Sequence, residues 1–264
     1  MVGVQEHVSR NPVLHRILST HQVTDGVVTL NLNHPDTPGR DSHLREDEGA
    51  LLQRIIDDVK PQTTLEVGMA YAVSTLYICE ALERSGRQPV THYALDPFQS
   101  TLWRGIGRRH VAEAGYAPFV TVMEERSEFA LPELLRKGVR VDFALIDGWH
   151  TFDQVMVEFY YLNRMLNVGG VIAFDDAARR SINRVIRYAL NYDAYEVYGG
   201  QAFGTEVTWK GKARRALADT GVGKSLVRPD VLAPDWELGI RGTCIALQKV
   251  REDDGRTSGW YRDF

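Results

Sequence analysis

Cysteine is nearly absent. Cys79 and Cys244 are the only two in 264 residues, far apart, each within an apolar segment. This excludes a disulfide framework and reads as two reduced, buried thiols, as a reducing cytosol maintains. Long apolar runs are missing as well: no stretch approaches the ~20 residues of a membrane span, so no membrane partner is expected. The first ten residues contain Glu6 and no apolar run, so no secretion signal is expected there and a cytoplasmic location is. Nor is there an excess of positive charge. The formal net charge is -4, which argues against general nucleic-acid binding. Internal repeats and low-complexity tracts are lacking. What remains is an ordinary globular composition, 44% hydrophobic and 25% charged, long enough for one large α/β domain or two small ones.

Residues 1–45 read as an irregular N-terminal arm or lid, with turn chemistry at Asn33-His34-Pro35-Asp36-Thr37-Pro38-Gly39. From Asp47 to Val59 apolar residues recur at the helical period, and Pro61 ends that helix. Strand-like and helix-like segments then alternate. The expected strands are 63–67, 91–95, 119–123, 141–146 and 170–174; the expected helices are 73–84, 101–114, 128–137, 152–166 and 178–190. Two further strands are expected at 195–198 and 244–250. This alternation implies an α/β domain over 46–264: a Rossmann-like, doubly wound, mostly parallel seven-stranded sheet with helices on both faces. An insertion at about 200–240 interrupts it. Within it, Lys210–Arg228 carries six basic residues against one acid, Asp219, and reads as a solvated face or as a basic lid over an anionic substrate. The C-terminus ends in Trp260-Tyr261-Arg262-Asp263-Phe264, a flexible end or a docking strip. Thr220-Gly221-Val222-Gly223-Lys224-Ser225 has the ending of a phosphate-binding loop. That motif requires glycine where Ala218 stands, and a preceding strand where the pattern is helical.

Two acidic clusters carry the strongest signal. Asp147-Gly148-Trp149-His150 follows the apolar run 141–146, and Asp175-Asp176 follows 171–174. If both runs are neighbouring parallel strands, three carboxylates and an imidazole meet at one sheet edge. Like charges so close need a cation, or one of them stays protonated. A hard metal ion held by oxygen ligands is the leading expectation. Simpler readings stand beside it. Asp176 can cap the helix that follows, Asp147 can cap the helix near Phe152, His150 can be a satisfied surface histidine, and Trp149 can wall an acceptor site or merely pack.

The turn after the first strand of the alternation is the second signal. Glu66-Val67-Gly68-Met69-Ala70-Tyr71-Ala72-Val73 offers Gly68 for a sharp turn and close approach of a ligand, but lacks the G-x-G-x-x-G of a dinucleotide fingerprint. Glu66 inside that turn would repel a pyrophosphate and attract an ammonium or sulfonium. Asp96, just past the second strand, suits a ribose diol. Together they suggest an adenosine ligand with a cationic end.

At this point the chain resembles the class I S-adenosylmethionine-dependent methyltransferases over about residues 48–177. Leu65-Glu66-Val67-Gly68 and Ser74-Thr75 are similar to the first motif of the catechol- and caffeoyl-CoA-type O-methyltransferases. Ile146-Asp147-Gly148-Trp149-His150 and Leu166–Asp176 are similar to the bacterial branch that includes antibiotic-sugar O-methyltransferases of the macrocin type. The resemblance implies that Glu66 binds the methionine ammonium and Asp96 the ribose hydroxyls. It further places Ser74 near the methionine carboxylate and Ser127 at adenine. Asp147, Asp175 and Asp176 would bind magnesium, and His150 would be the base. Ala72 departs from the pattern, standing where the family usually has glycine. The function implied is magnesium-dependent methylation of a hydroxyl on a sugar, glycan or secondary metabolite, by a homo-oligomeric enzyme. Mg²⁺ would lower the hydroxyl pKa and His150 would take the proton. The alternatives are a metal-free methyltransferase using His150 alone, and a non-catalytic cofactor- or partner-binding module.

Overall fold

The computed structural model describes residues 11–24, 27–30, 34–35, 44–198, 235, 238–240 and 242–253, with residues 21–24 and 27–30 described by their backbone. The basic segment 210–228, the turn at 220–225 and the aromatic end at 260–264 lie outside the described residues. Among the described residues, no helix is long and apolar enough to cross a membrane.

Elements in chain order are α1 (Pro12–Leu18), β1 (His21–Thr24), β2 (Val27–Leu30), α2 (Glu46–Val59), β3 (Thr63–Val67), α3 (Val73–Ser85), β4 (Thr91–Leu95), α4 (Ile106–Glu113), β5 (Val120–Met123), α5 (Ser127–Arg136), β6 (Val141–Ile146), α6 (Phe152–Met165), β7 (Leu166–Phe174), α7 (Arg180–Ala189), β8 (Tyr195–Val197) and β9 (Ile245–Lys249). One sheet has seven strands in the order β5-β4-β3-β6-β7-β9-β8, and β1 and β2 form a separate hairpin. In the seven-stranded sheet β3 lies between β4 and β6, with β7 beyond β6. By contact density the chain divides into two compact units, 1–144 and 145–264.

In the first unit, β3 pairs in parallel with β4, and β4 with β5. Four of the five β3 residues are buried, the pattern of a strand covered on both faces. Register places Val67 beside Leu95 and Leu95 beside Met123, so the strands end level with one another. Helix α2 turns Leu51, Leu52, Ile55 and Ile56 inward, all nearly inaccessible; each such side chain contributes roughly 1.5–3 kcal/mol of burial. It stops at Lys60, whose left-handed conformation precedes Pro61. Helix α3 is buried from Val73 to Leu82. It packs so close to α2 that a Cβ at Gly49 would overlap the Tyr77 ring.

Within the N-terminal segment, Pro12–Leu18 forms α1 and β1 pairs with β2. Asn11 caps α1 through Oδ1, accepting from Val13 and Leu14 N–H at 3.0 and 3.2 Å. Its own N–H donates to Glu80 Oε1 at 3.0 Å and its amide to Tyr116 Oη at 2.9 Å. The helix is thereby pinned to α3.

In the second unit, β9 runs antiparallel to both β7 and β8, so the sheet is parallel at its core and antiparallel at one edge. Phe159 of α6 gathers Phe174, Tyr192 and Tyr195, with ring centroids at 6.3, 5.6 and 5.5 Å. The buried Lys249 ammonium donates to Asn163 O and Leu166 O at 3.1 and 3.0 Å. It satisfies carbonyls that the end of α6 would otherwise leave open.

Candidate active site

The turn after β3 is built on buried carboxylates. Glu66 is wholly inaccessible. Its Oε2 accepts from Ser74 Oγ at 2.7 Å, and its Oε1 from Thr75 Oγ1 and, at 3.3 Å, from His92 Nε2. A proton on His92 Nε2 satisfies the arrangement, with Thr64 Oγ1 donating to Nδ1 at 2.8 Å. The backbone then takes left-handed conformations at Gly68 (φ 94°), Ala70 (φ 45°) and Ala72 (φ 69°). At Ala72, the position the family fills with glycine, the alanine adopts the conformation glycine favours, at a cost of roughly 1–2 kcal/mol.

Asp96 closes the turn from β4. Its Oδ2 accepts from Ala70 N at 2.7 Å and Gln99 Nε2 at 3.1 Å, and its Oδ1 from Phe98 N at 2.9 Å. Gln99 Nε2 also donates to Ala70 O at 2.8 Å, while Gln99 Oε1 is buried with no hydrogen-bond partner among the described residues. Helix α4 begins at Ile106, five residues later than its pattern suggests, because this loop folds back with Gly105 N bonded to Gln99 O at 2.6 Å. Gly107 is needed for the close approach: a Cβ there would overlap Ala70 O.

These residues fit S-adenosylmethionine. Asp96 Oδ1 accepts one hydrogen bond and keeps a lone pair for a hydroxyl, and the buried Gln99 amide oxygen sits in the same loop. Ser127, buried, opens α5 after β5. Both Glu66 oxygens accept hydrogen bonds from within the fold, and Ser74 Oγ donates to one of them.

The second cluster has another character. Asp175 N donates to Ile146 O at 3.0 Å and ties the ends of β6 and β7 together, so Asp147 and Asp175 follow joined strands. Neither Asp147 nor Asp176 caps a helix: Thr151 and Arg179 hold those positions. His150 (φ 59°) and Asp176 (φ 51°) are both left-handed, a strain of roughly 1–3 kcal/mol each that concentrates at functional turns. His150 Nε2 lies 3.8 Å from Asp147 Oδ1 and 3.8 Å from Asp176 Oδ2. Asp176 Oδ2 also meets Arg179 Nε at 2.5 Å. Ser181 Oγ donates to His150 O at 2.6 Å and holds the strained residue. Burial pulls the His150 pKa below its ordinary value; Asp176 opposes this and Arg179 adds to it. Trp149 is 67% exposed and Phe152 40%, so Trp149 does not pack inward.

The acids do not fit a magnesium ion as placed. Among the described residues no group of three or more His, Cys, Asp or Glu is arranged to hold a metal, and Asp176 is taken by Arg179. Sequence reasoning missed Thr75, His92, Gln99, Arg179 and Ser181. Polar Thr64 and His92, paired across apolar β3 and β4, were a readable signal; so was Arg179-Arg180, close behind the paired acids.

Residues 65–177 match the family model of a methyltransferase domain. Solved structures of similar fold include an O-methyltransferase from Bacillus cereus in complex with SAH, at 17% identity and TM-score 0.53, covering 59% of this chain and 74% of that one. Another is TomG from Streptomyces achromogenes, an O-methyltransferase involved in tomaymycin synthesis, in complex with SAM: 17% identity, TM-score 0.58, 72% of this chain and 83% of that one. A third is cofactor-bound Rv0187 from MTB, at 16% identity and TM-score 0.56, with 80% and 82% covered. At such identities the likeness is one of fold. The match to the methyltransferase model spans under half of the chain, and the fold is shared with these SAM- and SAH-bound O-methyltransferases.

Proposed function

We propose that the protein moves a methyl group from S-adenosylmethionine to a hydroxyl oxygen of a sugar, glycan or secondary metabolite, with His150 as general base. The observation that carries the reading is the His150 imidazole, held in a strained turn between two carboxylates, in a domain whose first turn suits the methyl donor. Bound S-adenosylmethionine would supply an electrophilic methyl, its sulfur leaving as a neutral thioether when the acceptor oxygen takes that carbon.

A sugar hydroxyl is a poor nucleophile at neutral pH, so its proton must be taken as the bond forms. Burial keeps His150 neutral near pH 7 and able to accept at Nε2. Once protonated, the imidazolium lies 3.8 Å from Asp147 and from Asp176, and both carboxylates stabilise it. In the first unit, Asp96 and the 68–72 backbone would hold the adenosine and methionine ends, with Glu66 fixing Ser74 and Thr75 beneath them.

The donor arrangement favours the metal-free form of this chemistry over the magnesium-dependent one. The test is methyl transfer from labelled S-adenosylmethionine to a panel of sugars, glycans and phenols, with and without excess EDTA. Turnover that survives EDTA and disappears in His150→Ala supports the reading. Turnover abolished by EDTA restores the magnesium form. Cofactor uptake with no transfer to any acceptor favours a non-catalytic binding module.

A further inference from the structure

We propose that Arg179 is the resident counter-cation of the acid cluster, holding the position that the paired acids would otherwise offer to a divalent metal. The inference rests on reading this cluster as the acceptor side of a methyltransferase.

Closely spaced carboxylates need positive charge. Arg179 Nε supplies it at 2.5 Å from Asp176 Oδ2, the same oxygen that faces His150 Nε2 at 3.8 Å. A guanidinium is a planar cation that presents five N–H donors to a carboxylate. The placement is also unexpected on helical grounds. Arg179 is the N-cap of α7 and Arg180 its first residue, with no acid in the first turn. The positive end of a helix disfavours cations, and the N-cap makes no side-chain cap hydrogen bond. The carboxylate of Asp176 accounts for Arg179 where the helix does not. Asp176 reaches it from a left-handed backbone, φ 51°. A divalent ion would have to displace the guanidinium from Oδ2 and then sit beside its charge.

The test is calorimetric titration of the full-length protein with Mn²⁺, run on wild type, Arg179→Ala, Arg179→Lys and the double variant Arg179→Ala/Asp176→Asn. Expected are millimolar Mn²⁺ binding in wild type and Arg179→Lys, roughly tenfold tighter binding in Arg179→Ala, and loss of that gain in the double variant. Micromolar Mn²⁺ binding by wild type overturns the proposal. So does any result in which Arg179→Ala binds no more tightly than wild type, or in which the gain survives Asp176→Asn. S-adenosylhomocysteine titration of the same samples reports folding and the methyltransferase reading separately: its failure in wild type sinks that reading and leaves the Mn²⁺ result standing on its own.

Discussion

The two acidic regions of this chain solve the same electrostatic problem in opposite ways. Glu66 and Asp96 are buried, and their oxygens are engaged by hydroxyls, amides and an imidazole within one compact unit. Asp147 and Asp176 are partly exposed, 3.8 Å from an imidazole, and one of them leans on a surface arginine. The first arrangement is preorganised: low exposure makes each hydrogen bond strong and each lost partner costly. The second keeps its charges close but loosely held, on strained turns, as a site that handles protons on an incoming molecule requires. Under the proposed function, the first region would take the methyl donor and the second the acceptor.

Substitutions in the two regions should therefore separate. The largest effect belongs to His150→Ala, which should lower turnover about 10²–10⁴-fold while S-adenosylhomocysteine affinity stays unchanged. A parallel loss of affinity would erase the division. Glu66→Leu should cost about 3 kcal/mol in a denaturant melt, because Ser74, Thr75 and His92 lose their shared acceptor. Asp147→Asn should cost under ~1 kcal/mol in the same melt. Equal costs would show that the second cluster is structural too.

The pH profile is a smaller effect. Burial lowers the His150 pKa from 6.5, so the neutral base persists further into acid. The kcat/KM profile should be flat through neutrality, with its acid limb below pH 6.5, falling about tenfold per unit beneath that limb. A limb above 7 would contradict a buried, neutral base. The smallest effect is Ala72→Gly: release of the left-handed alanine (φ 69°) should stabilise the fold by up to ~1 kcal/mol, read as a higher midpoint.

Much of the sheet was legible because buried runs bounded by turn residues leave little choice. Residues 63–67, 91–95 and 141–146 form strands with the expected bounds. The Asn11-Pro12 pair is an N-cap followed by proline, a local signal for α1 lost among the turn residues of that segment. The late start of α4 could not be read locally, since it depends on Gln99 and Asp96 meeting Ala70 across 29 and 26 positions. The acids and His150 were visible as residue types at strand ends. Their partners were not: Arg179 and Ser181 reach the cluster only because His150 and Asp176 adopt left-handed turns, and such turns at non-glycine residues leave no mark in composition or periodicity.

The central claim, that the buried acids hold the methyl donor and the exposed cluster works on the acceptor, is tested most directly by calorimetric titration of S-adenosylhomocysteine into wild type, Asp96→Ala and His150→Ala. Binding in wild type, weakened at least about tenfold in Asp96→Ala and unchanged in His150→Ala, is the result predicted. No binding in wild type, or equal losses in both variants, would contradict it.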